Sequence, residues 1–203
     1  MKKLFLTSSF KDVYLIFKNF QNDLNGKRVT FIPTASIVED VVFYVKEGKK
    51  SLEKLGLIVD ELEISTASTD EIQLKIKNND FLYVTGGNTF FLLQELKRTG
   101  ADKLILSEVE NGKVYIGESA GSIVTSNNIE YVEDMDNIEK APNLKEYSGL
   151  GLINFYPIPH YNCFPFKKIV QNIINKYTSN INLMPISNKE VSLVNGDEVI
   201  IDS

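Results

Sequence analysis

The sequence contains few of the residues that cross-link small secreted domains or bind transition metals. Its 203 residues include one cysteine, one histidine and no tryptophan. A single cysteine, Cys163, excludes an internal disulfide and is typical of a reducing compartment. One histidine and one cysteine are too few for the usual zinc sites, although carboxylates could still hold a hard cation.

The chain also lacks a concentrated positive charge and a long apolar run. Its formal net charge is −5, which argues against a nucleic-acid partner, because such a partner requires a basic face. The apolar run within the first residues, MKKLFLTSSF, is too short for the core of a signal peptide. No later stretch resembles a membrane span. We therefore expect a cytoplasmic protein that binds neither nucleic acid nor membrane.

Short apolar segments alternate with segments of helical period along most of the chain. Because the apolar segments are nearly continuous, they predict a parallel sheet with helices on both faces, an α/β fold. The last segment, EVSLVNGDEVIID, predicts an antiparallel hairpin that turns at Asn195–Gly196 and adds to the edge of the sheet. There is no repeat, linker or low-complexity tract, so we expect one domain over residues 1–203.

Two capping-box patterns predict where helices begin. Ser36 followed by Glu39 predicts a helix whose apolar face carries Val41 and other aliphatic residues. Ser68 followed by Glu71 predicts a second helix start.

The segment Gly117–Glu118–Ser119–Ala120–Gly121 matches the G-x-S-x-G pattern of a nucleophile elbow. An apolar strand precedes it and a helix-compatible segment follows it. Such a turn would expose the Ser119 hydroxyl at the carboxyl edge of the sheet, where backbone N–H groups favour developing negative charge. The alternative is a close-packed strand-to-helix connection that happens to contain a serine.

A second glycine-rich turn, Gly86–Gly87–Asn88, follows the fourth predicted strand. The ends of adjacent parallel strands face one crevice, in which ligands bind. Gly87 N–H and Ala120 N–H are therefore candidate oxyanion donors, and Asn88 is a candidate N-cap of the next helix. A tight turn with an N-cap and no role in chemistry explains the same residues.

His160 is the only histidine, within the segment FYPIPHYNCF. If imidazole activates Ser119, no other residue can supply it. The position after an apolar run and between Pro159 and Tyr161 favours a loop at the end of a strand, within reach of the same crevice. A structural histidine is the alternative.

Together, VTGGNTFFLL, GESAGSIV and PHY resemble the corresponding segments of the peptidase E and cyanophycinase family of serine peptidases, in the same order and at similar spacing. The resemblance spans roughly residues 1–200. It implies a flavodoxin-like three-layer sandwich related to class I glutamine amidotransferases, with Ser119 as nucleophile and His160 as general base. This sequence departs from the family at Thr85, where a third glycine is common, and at Glu118.

We thus expect a serine-type peptidase that hydrolyses short peptides, as a monomer or homodimer, with no cofactor and no metal. The third member of the triad comes from the acidic segment Glu133, Asp134 and Asp136, and the resemblance favours Asp134. Glu118 either receives a cationic amino group of the substrate or is paired with a neighbour. An amidase or esterase with the same residues, or a non-catalytic small-molecule binder, are the alternative functions.

Overall fold

The computed structural model describes residues 1–203 and contains nine strands. They are β1 (Lys3–Thr7), β2 (Arg28–Ile32), β3 (Ile58–Glu61), β4 (Phe81–Val84), β5 (Val114–Glu118), β6 (Tyr156–Ile158), β7 (Leu183–Pro185), β8 (Val191–Asn195) and β9 (Glu198–Asp202). Seven of them form one sheet in the order β3-β2-β4-β5-β1-β8-β9, and β6 pairs with β7 separately. Neighbours from β3 to β1 are parallel, whereas β8 and β9 are antiparallel. The predicted mostly parallel sheet and its C-terminal hairpin are confirmed.

Seven α-helices connect the strands. They are α1 (Phe10–Phe20), α2 (Phe43–Lys54), α3 (Thr69–Asn78), α4 (Thr89–Thr99), α5 (Ala101–Glu110), α6 (Ala120–Ile123) and α7 (Lys167–Tyr177). Three short 3-10 helices cover Thr34–Ser36, Glu130–Val132 and Ile138–Lys140. None of the helices combines the length and apolar character that a membrane span requires.

Two apolar cores lie on opposite faces of the sheet, which gives the expected three layers. The larger core packs α3, α4, α5 and α7 against one face. The smaller core packs α1 and α2 against the other face, and aromatic rings dominate it. Tyr83 of β4, for example, stacks on Phe31 with ring centroids 5.1 Å apart. Each such buried aromatic stabilises the fold by about 1.5–3 kcal/mol, so both faces hold the central strands in place.

The carboxyl ends of β4, β5 and β1 lie side by side. In register, Val84 is opposite Gly117, and Glu118 is opposite Thr7. The loops that follow these strands therefore meet at one edge of the sheet, as the parallel topology requires.

The two predicted capping boxes differ in outcome. Ser68 Oγ accepts the N–H of Glu71 at 3.2 Å, so α3 begins as predicted. The prediction at Ser36 is wrong, because α2 begins only at Phe43. Ser36 Oγ instead donates to the carbonyl oxygen of Pro33, and Glu39 pairs with Lys140 at 3.0 Å.

The segment that precedes α2 is therefore not helical, and it leaves apolar side chains exposed. Val41 is 62% exposed, and Phe43, the first residue of α2, is also 62% exposed. Both line the cavity described below.

Candidate active site

Ser119 occupies a sharp turn between β5 and α6. Its φ of 48° and ψ of −107° are strained values for a residue with a side chain. The Ser119 N–H donates to the carbonyl oxygen of Thr7 at 2.8 Å, which ties the turn to β1. A Cβ at Gly121 would lie 2.2 Å from the carbonyl oxygen of Val84. Only glycine therefore fits where α6 passes β4, which explains the second glycine of the pattern.

His160 lies next to Ser119, 41 residues away in sequence. Ser119 Oγ and His160 Nε2 are 3.1 Å apart. The histidine backbone is left-handed, with φ 63°, and its N–H donates to Ser8 Oγ at 3.0 Å. Its ring stacks on Phe166 with centroids 4.6 Å apart. Burial lowers the pKa of His160 from its ordinary value of 6.5, and a hydrogen bond with Asn188 partly opposes this shift.

Asn188 holds the other nitrogen of the histidine ring. His160 Nδ1 and Asn188 Oδ1 are 2.8 Å apart. Because an amide oxygen can only accept, Nδ1 carries the proton, which leaves Nε2 free to accept from Ser119. Asn188 lies between β7 and β8 in the segment ISNKE, and no sequence pattern marked it.

The prediction that Asp134 orients His160 is wrong. Asp134 is half-exposed and lies 3.9 Å from Lys176 Nζ, and Glu133 pairs with the same lysine at 2.8 Å. Both acids follow the 3-10 helix Glu130–Val132, and neither bonds to the histidine, whose ring nitrogens contact Ser119 and Asn188.

Asp136, the remaining alternative, lies in the cavity but not at the histidine. Its Oδ2 accepts the N–H of Thr89 at 2.8 Å, at the start of α4. Burial raises the pKa of Asp136 to about 6.

The two predicted oxyanion donors are free of backbone partners. Neither Gly87 N–H nor Ala120 N–H donates to a backbone carbonyl. Gly87 has φ 132°, and a Cβ there would lie 2.2 Å from the carbonyl carbon and oxygen of Ala35, so glycine is required. Gly86 is adjacent to the serine, because a Cβ on it would lie 3.2 Å from Ser119 Cβ. Asn88 caps α4 by accepting the N–H of Phe91 at 2.9 Å, as predicted.

Glu118 is 3% exposed and is paired within the protein. Its carboxylate accepts the Phe10 N–H at 2.9 Å and the Tyr83 hydroxyl at 2.8 Å. Burial raises the pKa of Glu118 to about 7, although these donors oppose the shift.

Ser119, His160 and Asn188 line one cavity of about 540 Å³. Its acidic residues are Asp12, Glu39, Glu118 and Asp136, whereas Lys11 is its one cationic residue. Nowhere in the chain do three or more histidine, cysteine or acidic side chains group so that they could hold a metal ion. The cavity therefore offers a hydroxyl, an imidazole and free amides, surrounded by negative charge.

Comparisons with known proteins agree on one family. The family model described as peptidase family S51 matches residues 4–201. An uncharacterized peptidase of Listeria innocua is 61% identical over 200 residues, which cover 98% of this chain and 96% of that protein. Peptidase E of a Nostoc species is 33% identical over 168 residues, which cover 79% of this chain and 66% of that protein.

A solved structure shows the same architecture throughout. The crystal structure of a candidate peptidase E protein from Listeria monocytogenes EGD-e superposes with a TM-score of 0.97 at 59% identity. The superposition covers 100% of this chain and 98% of that chain. The chain is therefore a serine peptidase of the peptidase E type and belongs to peptidase family S51.

Proposed function

We propose that this peptidase hydrolyses short peptides with Ser119 as nucleophile and His160 as general base. The observation that carries the proposal is the 3.1 Å approach of Ser119 Oγ to His160 Nε2 on a strained turn. A serine is activated in this way when a base within hydrogen-bond reach can take its proton. Asn188, and not the predicted Asp134, orients the histidine ring in this proposal.

The first half of the reaction forms an acyl-enzyme. Ser119 Oγ attacks the scissile carbonyl carbon while its proton moves to His160 Nε2. Gly87 N–H and Ala120 N–H donate to the oxyanion of the tetrahedral intermediate. The C–N bond then breaks, and the imidazolium gives its proton to the leaving amine. Loss of one oxyanion donor is expected to cost about 10²–10³ in rate.

The second half releases the acid product. A water molecule gives its proton to His160 Nε2 and attacks the ester carbonyl, and the intermediate collapses as the proton returns to Ser119 Oγ. Throughout, the Asn188 carboxamide keeps Nδ1 protonated. Because this partner is neutral, it orients the ring but adds less stabilisation to the imidazolium than a carboxylate would.

The size of the cavity supports a short substrate. About 540 Å³ falls within the range of small-molecule sites, roughly 300–1,000 Å³. A dipeptide or tripeptide fits such a volume, whereas a folded protein chain requires an open groove. We expect activity on free short peptides rather than on proteins.

A dipeptide library tests the proposal. The wild type should hydrolyse a subset of unblocked dipeptides, detected by release of free amino acids, and Ser119→Ala should lose that activity. Ser107→Ala is the matched control, because Ser107 is an exposed serine on α5 outside the cavity. Equal activity in the wild type and Ser119→Ala would refute the assignment.

The two alternative functions give different results in the same assay. Hydrolysis of simple amides or esters, with no dipeptide cleaved, would indicate an amidase or esterase. A folded wild type that binds dipeptides in calorimetry but cleaves none of these compounds would indicate a non-catalytic binder.

A further inference from the structure

The carboxylate next to the nucleophile connects two separate segments. Glu118 Oε1 accepts the N–H of Phe10, the first residue of α1. Oε2 accepts the hydroxyl of Tyr83 in β4. With two donors and 3% exposure, the carboxylate is occupied by the protein rather than open to a ligand.

One of these segments leads to the proposed machinery. Phe10 follows the loop that contains Ser8. Ser8 Oγ accepts the His160 N–H at 3.0 Å and donates to the carbonyl oxygen of Ile186 at 2.9 Å.

We propose that Glu118 is a positioning residue that, through Phe10, aligns the His160 loop beside Ser119. The inference rests on the proposed function, because that proposal assigns Ser119 and His160 their roles. It also answers the question that the sequence left open: Glu118 is paired with its neighbours and does not receive an amino group of the substrate. The ionised form is the active one, since a protonated carboxyl group would donate at one of the two oxygens that accept here.

Ionisation of Glu118 then becomes visible in the pH profile. The titratable groups around it are Asp12 on α1, Tyr83 on β4 and Tyr44 on α2. Burial raises its pKa to about 7, the charge of Asp12 adds to this shift, and the Tyr83 hydrogen bond opposes it. His160 titrates below 6.5. The acidic limb of kcat/KM should therefore have its midpoint near pH 7 and reflect the loss of two protons.

Glu118→Gln tests this role with little change in shape. The carboxamide has one accepting oxygen and donates from its NH2 group, so both contacts persist only if the Tyr83 hydroxyl turns to accept instead of donating. For the best dipeptide from the library, kcat should fall by about 10- to 100-fold, the range expected for a displaced catalytic group. KM should change less than kcat, because no substrate contact is lost. The acidic limb should become a one-proton limb with its midpoint below pH 6.5.

Tyr83→Phe is the second variant, and it should shift the pH profile in the opposite direction. It removes one donor that lowers the pKa of Glu118, so the midpoint should move above pH 7 while the alkaline plateau falls less than in Glu118→Gln. Far-UV circular dichroism and the melting temperature show whether each variant is folded. The rate of Ser119 labelling by a fluorophosphonate provides a substrate-independent readout.

Two results would overturn the inference. One is a folded Glu118→Gln with wild-type kcat and labelling rate. The other is a loss of kcat in both variants while the acidic limb of kcat/KM keeps its wild-type midpoint and slope. That result would indicate general damage to the site rather than positioning by an ionised group. Neither result affects the proposed function, which the dipeptide library and Ser119→Ala test separately.

Discussion

Asn188 is the residue for which the structure makes its sharpest prediction. Its Oδ1 lies 2.8 Å from His160 Nδ1, so replacing the amide by a carboxylate places a negative charge at that distance. A carboxylate beside a cation commonly shifts a pKa by about one to three units. We therefore expect Asn188→Asp to raise the pKa of His160 by about one to three units and to move the acidic limb of kcat/KM to higher pH.

Asn188→Ala changes the same pKa in the opposite direction. The hydrogen bond with Asn188 raises the pKa of His160, so its loss should lower that pKa further. A half-buried N–H without its acceptor costs about 1–3 kcal/mol. If the whole penalty falls on the transition state, kcat decreases by roughly 5- to 150-fold.

Proton NMR measures both shifts directly. His160 is the only histidine, so its C2 proton gives one resonance that needs no assignment. Titration of the wild type should give a pKa below 6.5. The pKa of His160 should be higher than in the wild type for Asn188→Asp and lower than in the wild type for Asn188→Ala. If the two variants shift the pKa in the same direction, or leave it unchanged, then Asn188 does not hold the histidine.

Three further predictions follow from the site. Asp134→Asn should leave kcat unchanged and alter the free energy of unfolding by less than about 1 kcal/mol, because it removes only a weak surface contact to Lys176. A severe loss of kcat would instead show that Asp134 belongs to the active site. Gly87→Ala should destabilise the fold by more than about 1 kcal/mol and abolish hydrolysis, because its Cβ would lie 2.2 Å from the carbonyl of Ala35. Denaturant unfolding measures the stability and the dipeptide assay measures the activity. A stable, active variant would contradict this geometry. Dipeptides with Asp or Glu side chains should have kcat/KM at least about tenfold below their Asn or Gln counterparts, because Lys11 is the one cation lining an acidic cavity; a preference for the acidic member would refute this.

The sequence predicted those features that depend on neighbouring residues. Strand β5, the turn at Ser119 and the glycine of α6 are contiguous in the sequence. The local pattern was therefore enough to predict the sharp strand-to-helix turn that exposes the serine. The same holds for Asn88, whose side chain caps the helix that begins at the next residue. For His160 the sequence predicted only a loop at a strand end, and β6, which precedes it, lies outside the seven-stranded sheet.

Contacts between distant segments could not be predicted in this way. Asn188 reaches His160 because β7 pairs with β6, which brings together residues 28 positions apart. Nothing in ISNKE distinguishes this asparagine from an ordinary turn residue. Asp134 had the expected spacing, but the 3-10 helix before it points its side chain to Lys176 and solvent. Likewise, Glu39 forms an ion pair with Lys140 from a distant segment and does not complete the capping box predicted at Ser36.

Covalent labelling with a fluorophosphonate tests the central claim most directly, because it requires a nucleophilic serine but no knowledge of the substrate. Intact-mass spectrometry of the wild type should show one adduct, and peptide mapping should locate it at Ser119. Ser119→Ala should show none, and His160→Ala should be labelled far more slowly while remaining folded. An adduct on Ser119→Ala, or undiminished labelling of His160→Ala, would contradict the account of a serine activated by this histidine.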